Sequence, residues 1–360
     1  MTRDHATGEV LAIEKPDAGM RPLIMHSVHR RLGLGAVAKA TQLDAMAAAG
    51  VHQYGVGAKD GCIKAYHATA ALIELNPEKV IMSLDVSAAH QSLDRAWMMQ
   101  EVRDLCPALE RPLAVWYPQG EPTTHWWRTA DGKIVEVLAG NGLDQGCPLA
   151  CPTYGISTAR PAERALAAMQ TRDPAAQLLL FADDTQLQTS VDNLTFAHEA
   201  VSAEWARAGL SLNIGKTKVF APNPDLPMGD WAVSRVSVLK CLGADLTDDG
   251  VAWEQPTQGG APKDELARAA IKITAYAHRL RELEDSGLSI QLAQSLLRFA
   301  TVGGPQHILM CKLVTPGQAA AYDAAVRGAW QLVLGIDMSD DSWERATHPL
   351  KKGGLATGTV

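Results

Sequence analysis

The pattern of apolar and polar positions along the 360-residue chain predicts short strands alternating with helices up to about residue 240. Strands appear as short apolar runs, whereas helices carry apolar residues three or four positions apart. Asn-Pro, Asp-Gly and single glycines separate the elements. The predicted strands are 9–24 (two strands around a turn at 16–19), 79–84, 123–139 (a hairpin), 177–189 (a hairpin), 217–220 and 236–240. The predicted helices are 26–49, 60–75, 92–105, 153–170 and 194–209.

The pattern changes to longer helices after a stretch rich in Pro and Gly at residues 255–262. Apolar residues keep helical spacing over four turns in residues 266–280. Two more helices fit residues 289–302 and 316–334. The last section is therefore predicted to be a separate helical bundle that starts near residue 262.

The composition is that of an ordinary globular protein, with 47% hydrophobic and 20% charged residues. No run approaches the ~18 consecutive apolar residues of a membrane span. The first residues show no basic-then-apolar signal pattern, and no two of the six cysteines form a Cys-x-x-Cys pair. We therefore expect an intracellular protein, in the nucleus or the cytoplasm, with neither a disulfide framework nor a zinc module.

The net charge of −7 argues against a protein whose whole surface binds nucleic acid, since neutralisation of phosphates dominates such affinity. A basic groove on an acidic body is compatible with this charge. The basic residues cluster in three places: Arg21, His26, His29, Arg30 and Arg31 early, Lys216 and Lys218 centrally, and Lys263, Arg268, Lys272, Arg279 and Arg281 late.

Three acidic residues are the strongest candidates for chemistry. Asp183 and Asp184 lie between two apolar runs and are predicted to form the tight turn of the hairpin 177–189. Asp85 ends the apolar strand 79–84. Adjacent carboxylates repel each other, so the arrangement is costly without a cation. One acid ending a strand and two on a neighbouring hairpin predict a paired-Mg²⁺ phosphoryl-transfer site, with metals ~3.5–4 Å apart.

Six short elements surround these acids in a specific order. They are residues 20–24 (Met-Arg-Pro-Leu-Ile), 84–90 (Leu-Asp-Val-Ser-Ala-Ala-His), 142–152 (Gly-Leu-Asp-Gln-Gly-Cys-Pro-Leu-Ala-Cys-Pro), 181–184 (Phe-Ala-Asp-Asp), 209–218 (Gly-Leu-Ser-Leu-Asn-Ile-Gly-Lys-Thr-Lys) and 239–243 (Leu-Lys-Cys-Leu-Gly), with a further one at 348–355. An isolated Phe-Ala-Asp-Asp is a weak signal, but six elements in one order are a strong one. The chain resembles a reverse transcriptase of the non-LTR retrotransposon type over most of its length.

The resemblance implies an α+β fold, a right-hand polymerase with an antiparallel-sheet palm, partial fingers and a helical thumb. The implied fingers occupy residues 1–78, with 112–147 contributing. The palm occupies 79–247, the thumb 262–345 and a C-terminal tail 346–360.

The implied activity is RNA-directed DNA polymerisation with two Mg²⁺ ions, or Mn²⁺ as an alternative. A primer 3′-hydroxyl attacks the α-phosphate of a deoxynucleoside triphosphate (dNTP), and pyrophosphate leaves. Asp85 and Asp183 would bind both ions, the carbonyl of Val86 would bind the ion on the triphosphate side, and Asp184 would complete the site. The implied partners are an RNA template, a DNA primer and the dNTP.

The resemblance also implies residues that bind the substrate and assist its chemistry. The substrate-binding residues are Lys15 and Arg21 at the triphosphate, Gln145 at the sugar and base, Gly146 where the backbone approaches the nucleotide, and Val86 and His90. Lys216 would protonate the leaving pyrophosphate as a general acid, and Lys218 competes with it for this role.

Three departures from the family pattern motivate a second hypothesis. His90 stands where the family usually has Phe or Tyr to block the 2′-hydroxyl of ribonucleotides. Cys151 interrupts the usual Ser-Pro of the element at 142–152, which we call the glutamine loop. Cys241 replaces the Tyr of the element at 239–243, which we call the primer grip. The alternative is therefore a catalytically inactive, reverse-transcriptase-like nucleic-acid-binding remnant. In either case the implied origin is a retrotransposon or a decayed fragment of one.

Overall fold

A computed structural model describes residues 7–14, 20–118, 120–247, 265–311, 314–352 and 354–357. The chain divides into two compact units, with the boundary between Leu239 and Lys240. The predicted turn at residues 16–19 and the start of the predicted bundle near residue 262 lie outside the described residues.

Short strands and helices alternate through the first unit, as the sequence pattern predicts. Its strands are β1 (Gly8–Glu14), β2 (Met20–His26), β3 (Val80–Leu84), β4 (Thr123–Arg128), β5 (Ile134–Ala139), β6 (Gln177–Phe181), β7 (Asp184–Thr189), β8 (Lys218–Phe220) and β9 (Arg235–Val236). Its α-helices are α1 (Val28–Ala40), α2 (Gln42–Ala48), α3 (Gly61–Leu75), α4 (Ala89–Ser92), α5 (Arg95–Leu105), α6 (Glu110–Trp116), α7 (Ala150–Gln170) and α8 (Leu194–Arg207). Short 3-10 helices occupy Pro107–Leu109, Val191–Asn193, Ile214–Lys216 and Gly229–Ser234.

A five-stranded sheet in the order β6-β7-β3-β8-β9 forms the centre of this unit. All its neighbours are antiparallel except β8 and β9. The central strand β3 is buried because Val80, Ile81 and Met82 are apolar without interruption. Apolar side chains of β3, α5, α7 and α8 share one hydrophobic core, which includes Trp205. The sheet is therefore a rigid base for residues at its strand ends.

A second, four-stranded sheet has the order β2-β1-β4-β5. The strand β1 pairs antiparallel with β2 and parallel with β4, and the hairpin β4–β5 turns at Gly132, whose φ is +82°. Side chains alternate between its faces, so His26 and His125 are buried while Met25 and Trp126 are exposed. This sheet thus carries polar groups into the interior of the unit.

The second unit is mainly helical. Its elements are β10 (Val238–Cys241, which crosses the boundary), β11 (Ala244–Thr247), α9 (Glu265–Asp285), α10 (Ile290–Cys311), α11 (Pro316–Leu334), α12 (Asp340–Thr347) and a 3-10 helix at Leu350–Lys352. Ile273, Leu297 and Trp330 pack in a core shared by α9, α10 and α11. A capping box of Thr315 and Gln318 starts α11. No helix among the described residues is long and apolar enough to span a membrane.

The mixture of helices with largely antiparallel sheets confirms the predicted α+β class. The predicted hairpins and the helices over 60–75, 153–170 and 316–334 are confirmed to within a few residues. The helix α10 runs well beyond its predicted end at residue 302, and α12 was not predicted. All six cysteines lie among the described residues, and none of them forms a disulfide there.

Candidate active site

Asp85, Asp183 and Asp184 lie at one end of the five-stranded sheet. The last residue pair between β3 and β7 is Leu84 with Thr185. Continuation of this antiparallel register by one residue places Asp85 beside Asp184. Asp183 precedes β7 in the turn that joins it to β6. The fold therefore brings together acids that are almost a hundred positions apart in sequence.

The acidic turn is tighter than the sequence predicted. Phe181 pairs with Asp184, so Ala182 and Asp183 are the two turn residues and Asp184 belongs to β7. The prediction that both acids form the turn is therefore wrong for Asp184. Ala182 adopts a φ of +54°, a left-handed conformation that is unfavourable for a residue with a Cβ atom. Something outside the turn has to hold it in this conformation.

The electrostatics of the three acids are those of an uncompensated negative site. Burial first, and then the charges of Asp183 and Asp85, raise the pKa of Asp184 to about 6. The pKa of the Cys62 thiol and that of the Cys151 thiol are also raised, by burial first and then by Asp184 and Asp183 respectively. Within the described part of the chain, no ion pair reaches any of the three carboxylates.

The oxygen atoms at this sheet edge match a hard divalent cation in their chemistry. Carboxylates and backbone carbonyls are the ligands that Mg²⁺ takes in proteins. Among the described residues, no hydrogen bond reaches the carbonyl of Val86. However, no three His, Cys, Asp or Glu side chains of those residues are grouped closely enough to hold a metal ion. The donor set therefore fits Mg²⁺, while its side chains do not surround one common point.

A neighbouring segment packs against the residues that follow β3. Asn213 N donates to the carbonyl of Asp85 at 2.8 Å, and Ser87 N donates to the carbonyl of Ser211 at 2.9 Å. These bonds flank an antiparallel bridge between Val86 and Leu212. The 3-10 helix that carries Lys216 starts directly after Asn213. The fold therefore places the chain segment of Lys216 next to that of Asp85, with the lysine exposed.

His90 lies in α4, close to the acidic turn. Its ring is edge-on to the ring of Tyr154, with the centroids 5.1 Å apart. Burial lowers the pKa of His90, and the charge of Asp183 opposes this effect. Among the described residues, no group forms a hydrogen bond with the buried Nδ1 atom of His90. The structure thus places His90 near Asp183 with one ring nitrogen unsatisfied.

The glutamine loop packs against β2. Ile24 N donates to the carbonyl of Gln145 at 2.8 Å. Gly146 has a φ of +107°, and a Cβ atom there would lie 2.8 Å from the carbonyl oxygen of Ile24. Only glycine fits this approach without displacing the backbone. The Oε1 atom of Gln145 is buried without a partner.

Asp144, next to Gln145, is the centre of a buried charged cluster that the sequence pattern did not predict. Its side chain contacts Nε2 of His26 at 2.9 Å, Nη2 of Arg30 at 3.0 Å and Nε2 of His125 at 3.0 Å. Burial raises the pKa of Asp144, but the hydrogen bonds and charges of these partners outweigh it and hold the pKa well below its usual range. The available signal was weak: two histidines at inward-facing positions of strands.

Of the two cationic residues predicted at the triphosphate, the structure describes only Arg21. Arg21 is exposed on β2, which belongs to the four-stranded sheet. No hydrogen bond or ion pair links it to Asp85, Asp183 or Asp184 in the described chain. Lys15 lies outside the described residues. Lys218 is exposed on β8 opposite Ser83 of β3.

Comparison with known proteins identifies the fold. No protein-family model matches the sequence, and no curated protein matches it. The structure is similar to telomerase from Candida tropicalis in complex with a TWJ fragment of telomeric RNA, with a TM-score of 0.53, 14% identity, and coverage of 99% of this chain and 59% of that one. It is also similar to the apo telomerase from Candida tropicalis, with a TM-score of 0.53, 12% identity, and coverage of 92% and 58%.

The chain spans less than two thirds of the telomerase chains it matches. At this level of identity the likeness establishes the fold and nothing further. The predicted polymerase architecture is confirmed at that level, whereas the non-LTR subtype is not. This chain has a reverse-transcriptase-like polymerase fold.

Proposed function

We propose that this protein is an RNA-directed DNA polymerase that transfers a nucleotidyl group from a dNTP to a primer 3′-hydroxyl. The observation that carries this proposal is that Asp85, Asp183 and Asp184 lie at one sheet edge, where no ion pair from the described residues reaches their carboxylates. In the reaction the 3′-hydroxyl loses its proton, its oxygen bonds to the α-phosphorus, and the bond to the pyrophosphate oxygen breaks. The proposal extends the reverse-transcriptase-like fold to an activity.

The three acids would hold two divalent cations, Mg²⁺ or Mn²⁺. Asp85 and Asp183 would contact both ions, with the carbonyl of Val86 and the carboxylate of Asp184 completing the site. Such ions, when bound, stabilise the charge that develops on the attacking and leaving oxygens. The raised pKa of Asp184 supports this role, because a bound cation favours the ionised carboxylate.

The remaining residues would bind and orient the substrate. Gln145 and Gly146 would contact the nucleotide from the glutamine loop, and His90 would face its sugar. Lys216 would donate a proton to the leaving pyrophosphate, with Lys218 as the competing candidate. Arg21 would contact the triphosphate if β2 approaches it on substrate binding, and Lys15 is the second residue proposed for this contact.

The proposed domain limits follow the polymerase layout. Fingers would occupy residues 1–78 with 112–147, the palm 79–247, the thumb 262–345 and the tail 346–360. The RNA fragment bound to the similar telomerase supports an RNA template for this chain. A DNA primer and a dNTP complete the proposed partners, and a non-LTR retrotransposon is the proposed origin, with the nucleus or the cytoplasm as the site of action.

A second candidate function is RNA binding without catalysis. It is favoured by the absence, among described residues, of three acidic or ligating side chains grouped closely enough for a metal. The imidazole of His90 at the position of the family's aromatic residue and the thiol of Cys241 in the primer grip point in the same direction.

Primer extension on an RNA template separates the two functions. We expect extension by the wild type and by Asp192→Asn, an exposed control next to the opposite end of β7. Asp85→Asn and Asp183→Asn should reduce extension by at least about a hundredfold while RNA binding persists. Equal extension by wild type and Asp183→Asn would overturn the polymerase proposal. RNA binding with no extension by any variant would establish the second candidate.

A further inference from the structure

The acidic turn is held by a buried glutamine that lies outside the hairpin. Gln53 is only 4% exposed. Its side-chain oxygen accepts hydrogen bonds from the backbone N of Ala182 at 2.8 Å and of Gly55 at 2.9 Å. Its side-chain nitrogen donates to the carbonyl oxygen of Ala182 at 3.2 Å. One amide group therefore satisfies both backbone polar groups of the residue that precedes Asp183.

The segment around Gln53 is attached to the edge of β6. Gln53 forms a parallel bridge with Leu180. Leu180 N donates to the carbonyl of His52 at 2.8 Å, and Tyr54 N donates to the carbonyl of Leu180 at 2.7 Å. These bonds hold the segment in one register along β6. The Gln53 side chain therefore contacts the turn from a backbone whose position is fixed by β6.

Close packing at Gly55 leaves the turn little room to move. A Cβ atom at Gly55 would lie 2.4 Å from the backbone N of Ala182 and 3.1 Å from the carbonyl carbon of Phe181. These neighbours are backbone atoms, so they cannot turn aside as a flexible side chain would. On its other side, the carbonyl of Gly55 accepts from Sγ of Cys151 in α7 at 3.5 Å. The segment around Gly55 is thus packed between α7 and the acidic turn.

The turn needs such a support for two physical reasons. The left-handed conformation of Ala182 is unfavourable by itself. The carboxylates of Asp85, Asp183 and Asp184 also repel each other, which favours opening of the turn. The two hydrogen bonds between the Gln53 amide and Ala182 oppose both effects, since each is broken when Ala182 moves.

We propose that Gln53 is a positioning residue that holds the Asp183 carboxylate in place for a divalent cation. This inference rests on the proposed function, because it assigns Asp183 to metal binding. Gln53 itself touches neither substrate nor metal and acts through the backbone of Ala182. A neutral amide suits this role, because it accepts and donates at once without adding a fourth negative charge to the site.

The test compares two glutamines on the full-length protein. Gln53→Met keeps the size of the side chain and removes its hydrogen bonds. The matched control is Gln188→Met, since Gln188 is also buried and its Nε2 donates to the carbonyl of Leu72 at 2.7 Å, near the far end of β7. Three quantities are measured: Mn²⁺ affinity by electron paramagnetic resonance, the Mg²⁺ midpoint of primer extension, and stability by urea unfolding.

We expect Gln53→Met to weaken Mn²⁺ binding by about tenfold or more, as when a group that orients a metal ligand is removed. The Mg²⁺ midpoint should rise by a similar factor. Gln188→Met should lower stability comparably and leave both metal-dependent quantities unchanged. Equal Mn²⁺ affinity in Gln53→Met and Gln188→Met would overturn the proposal, because a merely structural role predicts this equality.

Two further outcomes separate this inference from the polymerase proposal. If the wild type binds Mn²⁺ but extends no primer, the Mn²⁺ comparison alone decides the role of Gln53, and only the polymerase proposal fails. If the wild type does not bind Mn²⁺, both fail. Should Gln53→Met not fold, Gly55→Ala takes its place, because its Cβ atom would crowd both Ala182 N and Gln53 Oε1, which are joined by a hydrogen bond. If neither variant folds, Gln53 belongs to the folding core and the proposal is wrong.

Discussion

Two acidic clusters in the first unit differ in whether neighbouring side chains neutralise their negative charge. Asp144 is 5% exposed, and its one carboxylate contacts His26, Arg30 and His125. At the other cluster, three carboxylates lie at one sheet edge and no ion pair reaches them within the described residues. Asp144 therefore has several donors for its one charge, whereas the three acids have no cationic partner among the residues that the structure describes.

The difference appears in the direction of the pKa shifts. The partners of Asp144 lower its pKa although burial alone would raise it. Burial and the neighbouring acids raise the pKa of Asp184 to about 6. Burial is therefore common to both carboxylates. The charged groups that contact each carboxylate determine the direction in which its pKa is shifted. A charge neutralised by the chain stabilises the fold, whereas a charge left without a partner is available to a ligand.

The substitution Asp144→Asn should have the largest effect among the tests of this comparison between the two clusters. Removal of this charge breaks the buried ion pair between Asp144 and Arg30, so we expect the free energy of unfolding to fall by about 3–5 kcal/mol. Urea unfolding of the wild type and the variant measures this loss. A change below about 1 kcal/mol would mean that the cluster does not stabilise the fold and that the comparison is mistaken.

The opposite cluster should respond to added cations. We expect Mg²⁺ at about a hundred times its Kd to stabilise the wild type by about 2.7 kcal/mol, because it binds only the folded state. Asp183→Asn should lose most of this gain, and Asp144→Asn should keep it if enough of that variant is folded. Thermal unfolding with and without Mg²⁺ gives the values. Equal gains in wild type and Asp183→Asn would show that the ion binds elsewhere.

Acid should destabilise the protein through the Asp144 cluster. Burial lowers the pKa of His26 below 6.5. The unfolded chain therefore binds a proton at a higher pH than the folded protein does, and the free energy of unfolding falls as the pH drops through about 6.5. The contribution of Asp144 is lost only below about 3.8, since its folded pKa is lowered from that value. The slope from His26 is at most about 1.4 kcal/mol per pH unit.

His26→Gln keeps a donor for Asp144 but does not titrate. Urea unfolding between pH 7 and pH 5 should therefore show a shallower slope in this variant than in the wild type. Identical slopes would assign the acid sensitivity to other groups.

The smallest expected effect is a gain in stability from Asp184→Asn without metal. The pKa of Asp184 is raised from 3.8 to about 6, so its charge penalises the folded state as the pH rises through this window. We expect a gain of about 1 kcal/mol or less above pH 6, since the side chain reaches solvent, and none below about pH 4. Urea unfolding at both pH values tests this, and a loss of stability at pH 7 would contradict it.

Local pattern was sufficient to predict most of the fold. The uninterrupted apolar run of β3 and the Asp-Gly turn of β4–β5 determine their structures over a few residues, and the structure has both. The helix α10 continues beyond its predicted end at residue 302 with Pro305 inside it, although proline disfavours a helix interior. Tertiary packing overrides such local preferences.

Within the candidate site, the sequence by itself determined which acids occur and that they end apolar strands. Only the tertiary structure decided what surrounds them. Gln53 reaches Ala182 across 129 positions, and Asp144 meets His26 across 118. The physical reason is that a side-chain hydrogen bond depends on distances of a few ångströms, which arise from the packing of strands and helices and leave no periodic trace in the sequence.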